Sequence, residues 1–274
     1  MIRRFNSRFL GMNSSLIYSD HSGLLVDPGV FPPELSRISD FIEAEGLKKV
    51  AILLTHTHGD HISGWHAFSN YTTYTHSSVS KKSMIVRDND VRYLQGMYRK
   101  QGYEELSKLS FPSPLNYLDD GEIVKISPSD FCFYHTPGHS LDMSIIVIPE
   151  EKLMLSGDML IHTPIPFILH SINQYWGSLH KIKKLVKKFN LNHLIPGHGK
   201  PAISQDQIYS RIQIEQNYIE KLIVKGRDCI ARGNSDSEIN TILTECFPEL
   251  SSLHAHQSNV KTLIREQDDL HIDL

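Results

Sequence analysis

Residues 55–61 read Thr-His-Thr-His-Gly-Asp-His, which places three imidazoles and a carboxylate within six positions, 56–61. Imidazole and carboxylate are the ligand types that suit zinc, iron and manganese, and four of them this close have few structural uses. Three more segments supply one such group each: Thr-Pro-Gly-His-Ser at 136–140, Leu-Ser-Gly-Asp at 155–158 and Ile-Pro-Gly-His-Gly at 195–199. Every one is a glycine-bearing turn directly behind an apolar stretch, so the chain repeats one device, a strand that ends in a ligand. The candidate set is His56, His58, Asp60, His61, His139, Asp158 and His198. A catalytic zinc keeps three protein ligands and an open position for water, so six terminal groups and one shared carboxylate match two such sites.

The pattern His-x-His-x-Asp-His, followed in order by His, Asp and His, resembles the metallo-β-lactamase-fold superfamily of hydrolases over about residues 14–200. The resemblance implies an α/β fold, a four-layer αββα sandwich, here with helices added at its C-terminal end. It also implies a binuclear centre: His56, His58 and His139 on one metal, Asp60, His61 and His198 on the other, and Asp158 bridging. Asp60 and Asp158 are the candidate catalytic carboxylates. Two divalent cations, zinc by first expectation with iron or manganese equally compatible, would lower the pKa of a shared water and polarise the bond it attacks.

The elements that must position these groups are legible from periodicity. The apolar run Val-Ala-Ile-Leu-Leu at 50–54 predicts a buried strand, and ligands collect at such strand ends in layered α/β folds. Upstream, 16–18 and 24–26 predict a hairpin ending in Asp27-Pro28-Gly29, with Asp27 read as a turn residue, and Leu35, Ile38, Phe41 and Ile42 mark a helix stopped by Gly46. Downstream, a helix is expected to begin near 62–68 and a strand at 71–75. The polar, tyrosine-rich stretch 78–110 reads as a solvated helical pair. A second hairpin is expected across Asp119-Asp120-Gly121-Glu122, and a third, 144–148 with 152–155, delivers Asp158.

Residues 159–170 carry two prolines among apolar side chains and read as a loop at a pocket mouth, making His162, His170 and Tyr175 the candidate substrate contacts. The lysines between 181 and 188 decorate the outside of the helix that follows. Capping-box patterns at 204–207 and 235–238 open two further helices. The expected division is a catalytic domain at 1–203 and a helical extension at 204–274 packed on it. His254, His256 and His271 read as exposed.

Bulk properties narrow the class. A chain of 274 residues, 40% hydrophobic, builds one sizeable α/β unit with an appendage. The formal net charge of −3 gives no basic field for nucleic acid, and three widely spaced cysteines argue for buried thiols in a reducing cytoplasm. The paired arginines near the start lack a following apolar export core, and no run is long enough to span a membrane. Among compact members of the resembled superfamily, Thr-His-x-His-x-Asp-His with Thr-Pro-Gly-His is similar to glyoxalase II. The expected activity is attack by a metal-bridging hydroxide on an acyl carbonyl, a small-molecule thioester or lactone. A metal-dependent endoribonuclease or phosphodiesterase, and a quorum-response-type metal-binding signalling protein with feeble turnover, stay open, as does a homodimer.

Overall fold

The computed structural model describes residues 1–104, 109–126, 129–270 and 272. Its first sheet is built in chain order from β1 (Ile2–Asn6), β2 (Asn13–Ser19), β3 (Ser22–Val26), β4 (Lys49–Leu53), β5 (Thr72–His76) and β6 (Asn116–Leu118). The β2–β3 hairpin is antiparallel, whereas β3, β4, β5 and β6 run parallel and need crossovers. α1 (Pro32–Ala44) makes the first crossover, and Gly46 at φ +63° ends it. A single helical turn, α2 (Gly59–Ile62), and a 3-10 helix (Ser63–Phe68) stand where the sequence predicts a helix. α3 (Met84–Lys100) lies in the polar insertion, and residues 105–108 of the expected helical pair fall outside the described residues.

The second sheet runs β11-β10-β9-β8-β7, from β7 (Ile123–Ile126), β8 (Ser129–His135), β9 (Ser144–Ile148), β10 (Leu153–Leu155) and β11 (His193–Ile195). The predicted β9–β10 hairpin is present. The hairpin predicted across 119–122 is not: β6 pairs with β5 in the first sheet, and β7 with β8 in the second. Short turn chemistry read as a hairpin is the crossing from one sheet to the other.

Alternation along the strands defines four layers. In β4, Val50 and Ile52 face a helical cluster with Leu35 and Ile38 of α1 and Leu94 of α3. Ala51 and Leu53 face an inter-sheet cluster with Phe133, Ile146 and Ile148. In β9, Ile145 and Val147 turn outward to a third cluster. That cluster contains Leu179 and Ile182 of α4 (Ile172–Lys188), Ile212 and Ile219 of α5 (Gln205–Ala231), Leu243 of α6 (Asp236–Cys246) and Leu263 of α7 (His254–Arg265). A strand covered on both faces reads as a continuous apolar run, as 50–54 and 145–148 do. The αββα sandwich expected from the resemblance is therefore the observed architecture. The helices of residues 204–274 share one core with α4 and β9.

Ser235 and Glu238 form the predicted capping box; at 204–207 Ser204 caps Gln207 N–H, but the Gln207 side chain returns to the N–H of Ile203 instead. Cys132 and Cys229 are buried, Cys246 is exposed, and all three are free thiols. Among the described residues no helix is long and apolar enough to cross a membrane.

Candidate metal centre

All seven predicted ligands meet at one edge of the sandwich, each just beyond the C-terminal end of a strand. His56 and His58 follow β4, with Asp60 and His61 on α2; His139 follows β8, Asp158 follows β10 and His198 follows β11. Within each of the groups His56/His58/His139, His56/His61/Asp158 and Asp60/His61/His198, one ligand atom per residue lies within 4.8 Å of the others. The His58 Nδ1 is 3.1 Å from His56 Nε2 and 2.9 Å from His139 Nε2. Asp60 Oδ2 is 3.1 Å from His198 Nε2. Asp158 stands between the two groups: Oδ2 is 3.3 Å from His139 Nε2, and Oδ1 is 3.2 Å from His61 Nε2 and 3.5 Å from His198 Nε2.

These distances test whether the residues fit metal ions. A ring nitrogen carries at most one proton, so three nitrogens converging at about 3 Å cannot all be satisfied by hydrogen bonds among themselves. Tetrahedral coordination at about 2.05 Å puts neighbouring ligand nitrogens about 3.3 Å apart, close to what is seen. His61 Nε2 and Asp158 Oδ1 are moreover buried and lack a partner in hydrogen-bond geometry despite their 3.2 Å separation. The donor set fits two divalent cations.

The ring atoms that face away from the centre are also held. His61 Nδ1 lies 2.8 Å from Asp27 Oδ2, and Asp27 further accepts from the N–H (2.8 Å) and hydroxyl (2.7 Å) of Thr55. His139 Nδ1 contacts the Phe167 carbonyl at 2.6 Å, and His198 Nδ1 the Leu10 carbonyl at 3.3 Å. Such outer bonds fix tautomer and ring plane and sharpen metal affinity. Asp27, read from the sequence as a turn residue, is thus a ligand-orienting carboxylate at φ +50°. Nearby, Asp142 accepts from the N–H (2.8 Å) and hydroxyl (2.6 Å) of Thr57, between His56 and His58, and pairs with Lys82 at 3.1 Å. Neither Asp142 nor Lys82 belongs to a motif, and only the fold brings them here.

Two glycines allow the close approach. A Cβ on Gly138, at φ +136°, would collide with the backbone of Tyr175, and one on Gly197 with Asp158 Oδ1.

The electrostatics follow from burial and crowding. Burial depresses His56 well below the usual imidazole range, and the neighbouring His61 and His58 push it further down. Burial likewise leads in lowering His58, to about 3, with His139 adding to it. For His61 burial pulls down, but Asp27, Asp158 and Asp60 outweigh it and hold the ring well above the usual value. Burial would raise Asp60, yet His61 and His198 bring it to about 2. His56 and His58 are therefore neutral imidazoles and Asp60 an ionised carboxylate, the forms that bind cations, while His61 holds a proton that a bound cation would displace.

Residues 8–198 match the sequence model of the metallo-beta-lactamase superfamily. The chain belongs to that superfamily. Its members are metal-dependent hydrolases. A relative in Caenorhabditis elegans, beta-lactamase-like protein 2 homolog, is 26% identical over 241 residues, covering 85% of this chain and 68% of its own length. A hydroxyacylglutathione hydrolase from Francisella tularensis subsp. novicida is 25% identical over 62% of this chain, and the match spans only 57% of that enzyme. A metallo-beta-lactamase family protein from Thermus thermophilus superposes with a TM-score of 0.66 at 18% identity, over 98% of this chain and 93% of its own.

The substrate-contact candidates of this metallo-β-lactamase-fold chain fare differently. Tyr175 is fully buried, its hydroxyl donating to Glu215 at 2.9 Å, so it supports the His139 turn from beneath and no substrate reaches it. The helical period carries Tyr175 to the inner face of α4, which proximity in sequence did not reveal. His162 is exposed and packs against Gly199, next to His198, while His170 is half-buried beside the Gly138 carbonyl. The mouth expected from 159–170 is also corrected: Ile161, Ile165 and Ile168 are buried, leaving the half-buried Phe167 ring against His139 and the exposed His254. His256, expected at the surface, is buried on Tyr218, and His271 lies outside the described residues. Sequence reading missed Tyr93 of α3, an exposed ring that touches the position of a Gly59 Cβ and feels the charge of Asp60.

Proposed function

We propose that the chain is a two-metal hydrolase of small acyl compounds, thioesters before lactones. The observation that carries the two-metal reading is the placement of Asp158, one oxygen facing His139 and the other facing His61 and His198. When bound, the cations supply Lewis acidity at the scissile carbonyl and a nucleophile drawn from water at neutral pH. The chain's own groups then have defined tasks. His56, His58 and His139 would hold one cation, Asp60, His61 and His198 the other, and Asp158 would offset the repulsion between them. Asp27, Phe167 and Leu10 hold the rings in plane. The Phe167 ring shields the His139 side from bulk water, which strengthens every charge interaction within.

An acyl substrate is supported by the surface that borders Leu10 and Tyr93, outside the metal ligands themselves. Two contiguous clefts of about 580 and 230 Å³ share Phe9, Phe31 and Gln101. One wall ends at Leu10, whose carbonyl holds His198, and the other at Tyr93 beside Gly59. The lining is apolar at Phe9, Phe31 and Met97 and charged at Arg8, Glu34, Arg37 and Lys100. Such a cleft suits an acyl thioester whose thiol carrier bears a terminal anion. The hydroxyacylglutathione hydrolase among the relatives acts, by its name, on an acylated thiol. A polyanionic nucleic acid is served less well. The lysines at 183, 184, 187 and 188 are exposed on the far half of α4, Lys187 about 18 Å along the axis from Tyr175, and Lys181 is bound to Asp120.

A panel of thioester, lactone and phosphodiester chromogenic substrates, run on metal-replete and chelator-treated protein, tests the reading. Metal-dependent turnover fastest on a thioester supports it. Phosphodiester cleavage exceeding every acyl substrate would overturn the acyl assignment, and metal binding with feeble turnover throughout would point to signalling.

A further inference from the structure

α7 lies outside the stretch that matches the superfamily, yet it braces a ligand of the metal centre. The loop between Asp158 and α4 is held by side chains of α7 and of Glu266 just after it. Asn259, fully buried, donates from Nδ2 to the Pro166 carbonyl at 2.8 Å and accepts at Oδ1 from the Ile168 N–H at 2.7 Å. Thr262 donates to the Ile168 carbonyl at 3.0 Å, and Glu266 accepts from the Ile172 N–H at 2.8 Å. The residue bracketed by Asn259 is Phe167, whose carbonyl meets His139 Nδ1 at 2.6 Å.

We propose that Asn259 is a positioning residue for the metal site formed by His56, His58 and His139. A carboxamide offers a donor and an acceptor on one rigid plane, and here the two satisfy the backbone groups on either side of Phe167. With Pro166 O and Ile168 N both fixed, the Phe167 carbonyl has one direction, and it accepts the Nδ1 proton of His139. That bond sets the tautomer, leaving the His139 Nε2 lone pair directed at His58 Nδ1, 2.9 Å away. Asn259 itself is fixed from behind, since Nδ2 also donates to the Tyr218 hydroxyl at 3.1 Å, and Tyr218 bonds His256 at 2.8 Å. The two cation sites are thereby supported from opposite ends of the chain: His198 by Leu10 near the start and His139 by α7.

The inference rests on the two-metal reading, and the test separates the two. Chelator-stripped wild type, Asn259→Leu, Asn259→Asp and Ile239→Val are titrated with Co2+ by calorimetry. Ile239→Val thins the same helical layer without touching the bracket. Asn259→Leu is expected to weaken one of two binding steps by about 10–100-fold and leave the other within a factor of about three. Asn259→Asp keeps the acceptor for Ile168 but sets a carboxylate oxygen against the Pro166 carbonyl in place of the donor, so it is expected to weaken the same step and serves as the second variant. Ile239→Val leaves both steps unchanged. Unchanged binding in a folded Asn259 variant, or equal loss of both steps, overturns the proposal. Wild type that binds no Co2+ overturns the metal reading instead. The His139 ring N–H resonance of the metal-free protein, assigned with His139→Gln, then decides: a protected signal in wild type that is lost in Asn259→Asp upholds the positioning role, and its persistence ends it.

Discussion

Metal ligands are cheap to recognise in a sequence and their supports are not. His56, His58, Asp60, His61, His139, Asp158 and His198 were legible because imidazoles and carboxylates on glycine turns recur at strand ends. Asp27 carried no such mark, since Asp-Pro-Gly is ordinary turn chemistry. Its role comes from parallel pairing that sets Val26 beside Leu53 and so carries Asp27 to Thr55 and His61. Replacing Asp27 by alanine strips His61 Nδ1 of its partner and leaves the Thr55 N–H unpaired. The expected result is a loss of about 10–100-fold in affinity at the Asp60/His61/His198 site, with the other site less affected, read by competition against a chelator of known affinity. Unaltered affinity would return Asp27 to the role of a turn residue.

At the scale of elements, strands and helices followed periodicity, while connections and faces did not. Residues 119–122 have hairpin composition but join two sheets, because β6 finds its partner in β5 through a crossover no local signal announces. Tyr175 looked available in a loop-rich stretch, and its buried hydroxyl instead bonds Glu215, joining α4 to α5. Burial raises Glu215 to about 8, only partly opposed by Tyr175 and Arg211. The folded protein therefore keeps this proton across a range in which the unfolded chain, with an ordinary carboxyl near 4.5, has released it. Because the native state binds more protons there, stability falls as pH rises from about 4.5 to about 8, by an amount on the order of a few kcal/mol. Glu215→Gln removes that slope. Urea unfolding of metal-free protein at pH 5 and pH 8 is expected to show the variant gaining on wild type at the higher pH. Parallel pH dependence in the two would contradict it.

For the whole molecule, the four layers were implied by the family resemblance, and the structure gives their physical reason: β4 and β9 are apolar on both faces, and sheets so covered need helices outside and each other within. The edge of that sandwich gathers strand ends spread along the chain from His56 to His198, and there the metal centre assembles. Its central feature is Asp158, set between two triads. The most direct measurement is metal stoichiometry with step-resolved affinity on wild type, His58→Ala and Asp158→Ala, by elemental analysis and calorimetry. Two cations per wild-type chain, one step weakened in His58→Ala and both weakened in Asp158→Ala is the predicted result. One cation or none in metal-replete wild type, or an Asp158→Ala variant that binds like wild type, would contradict it.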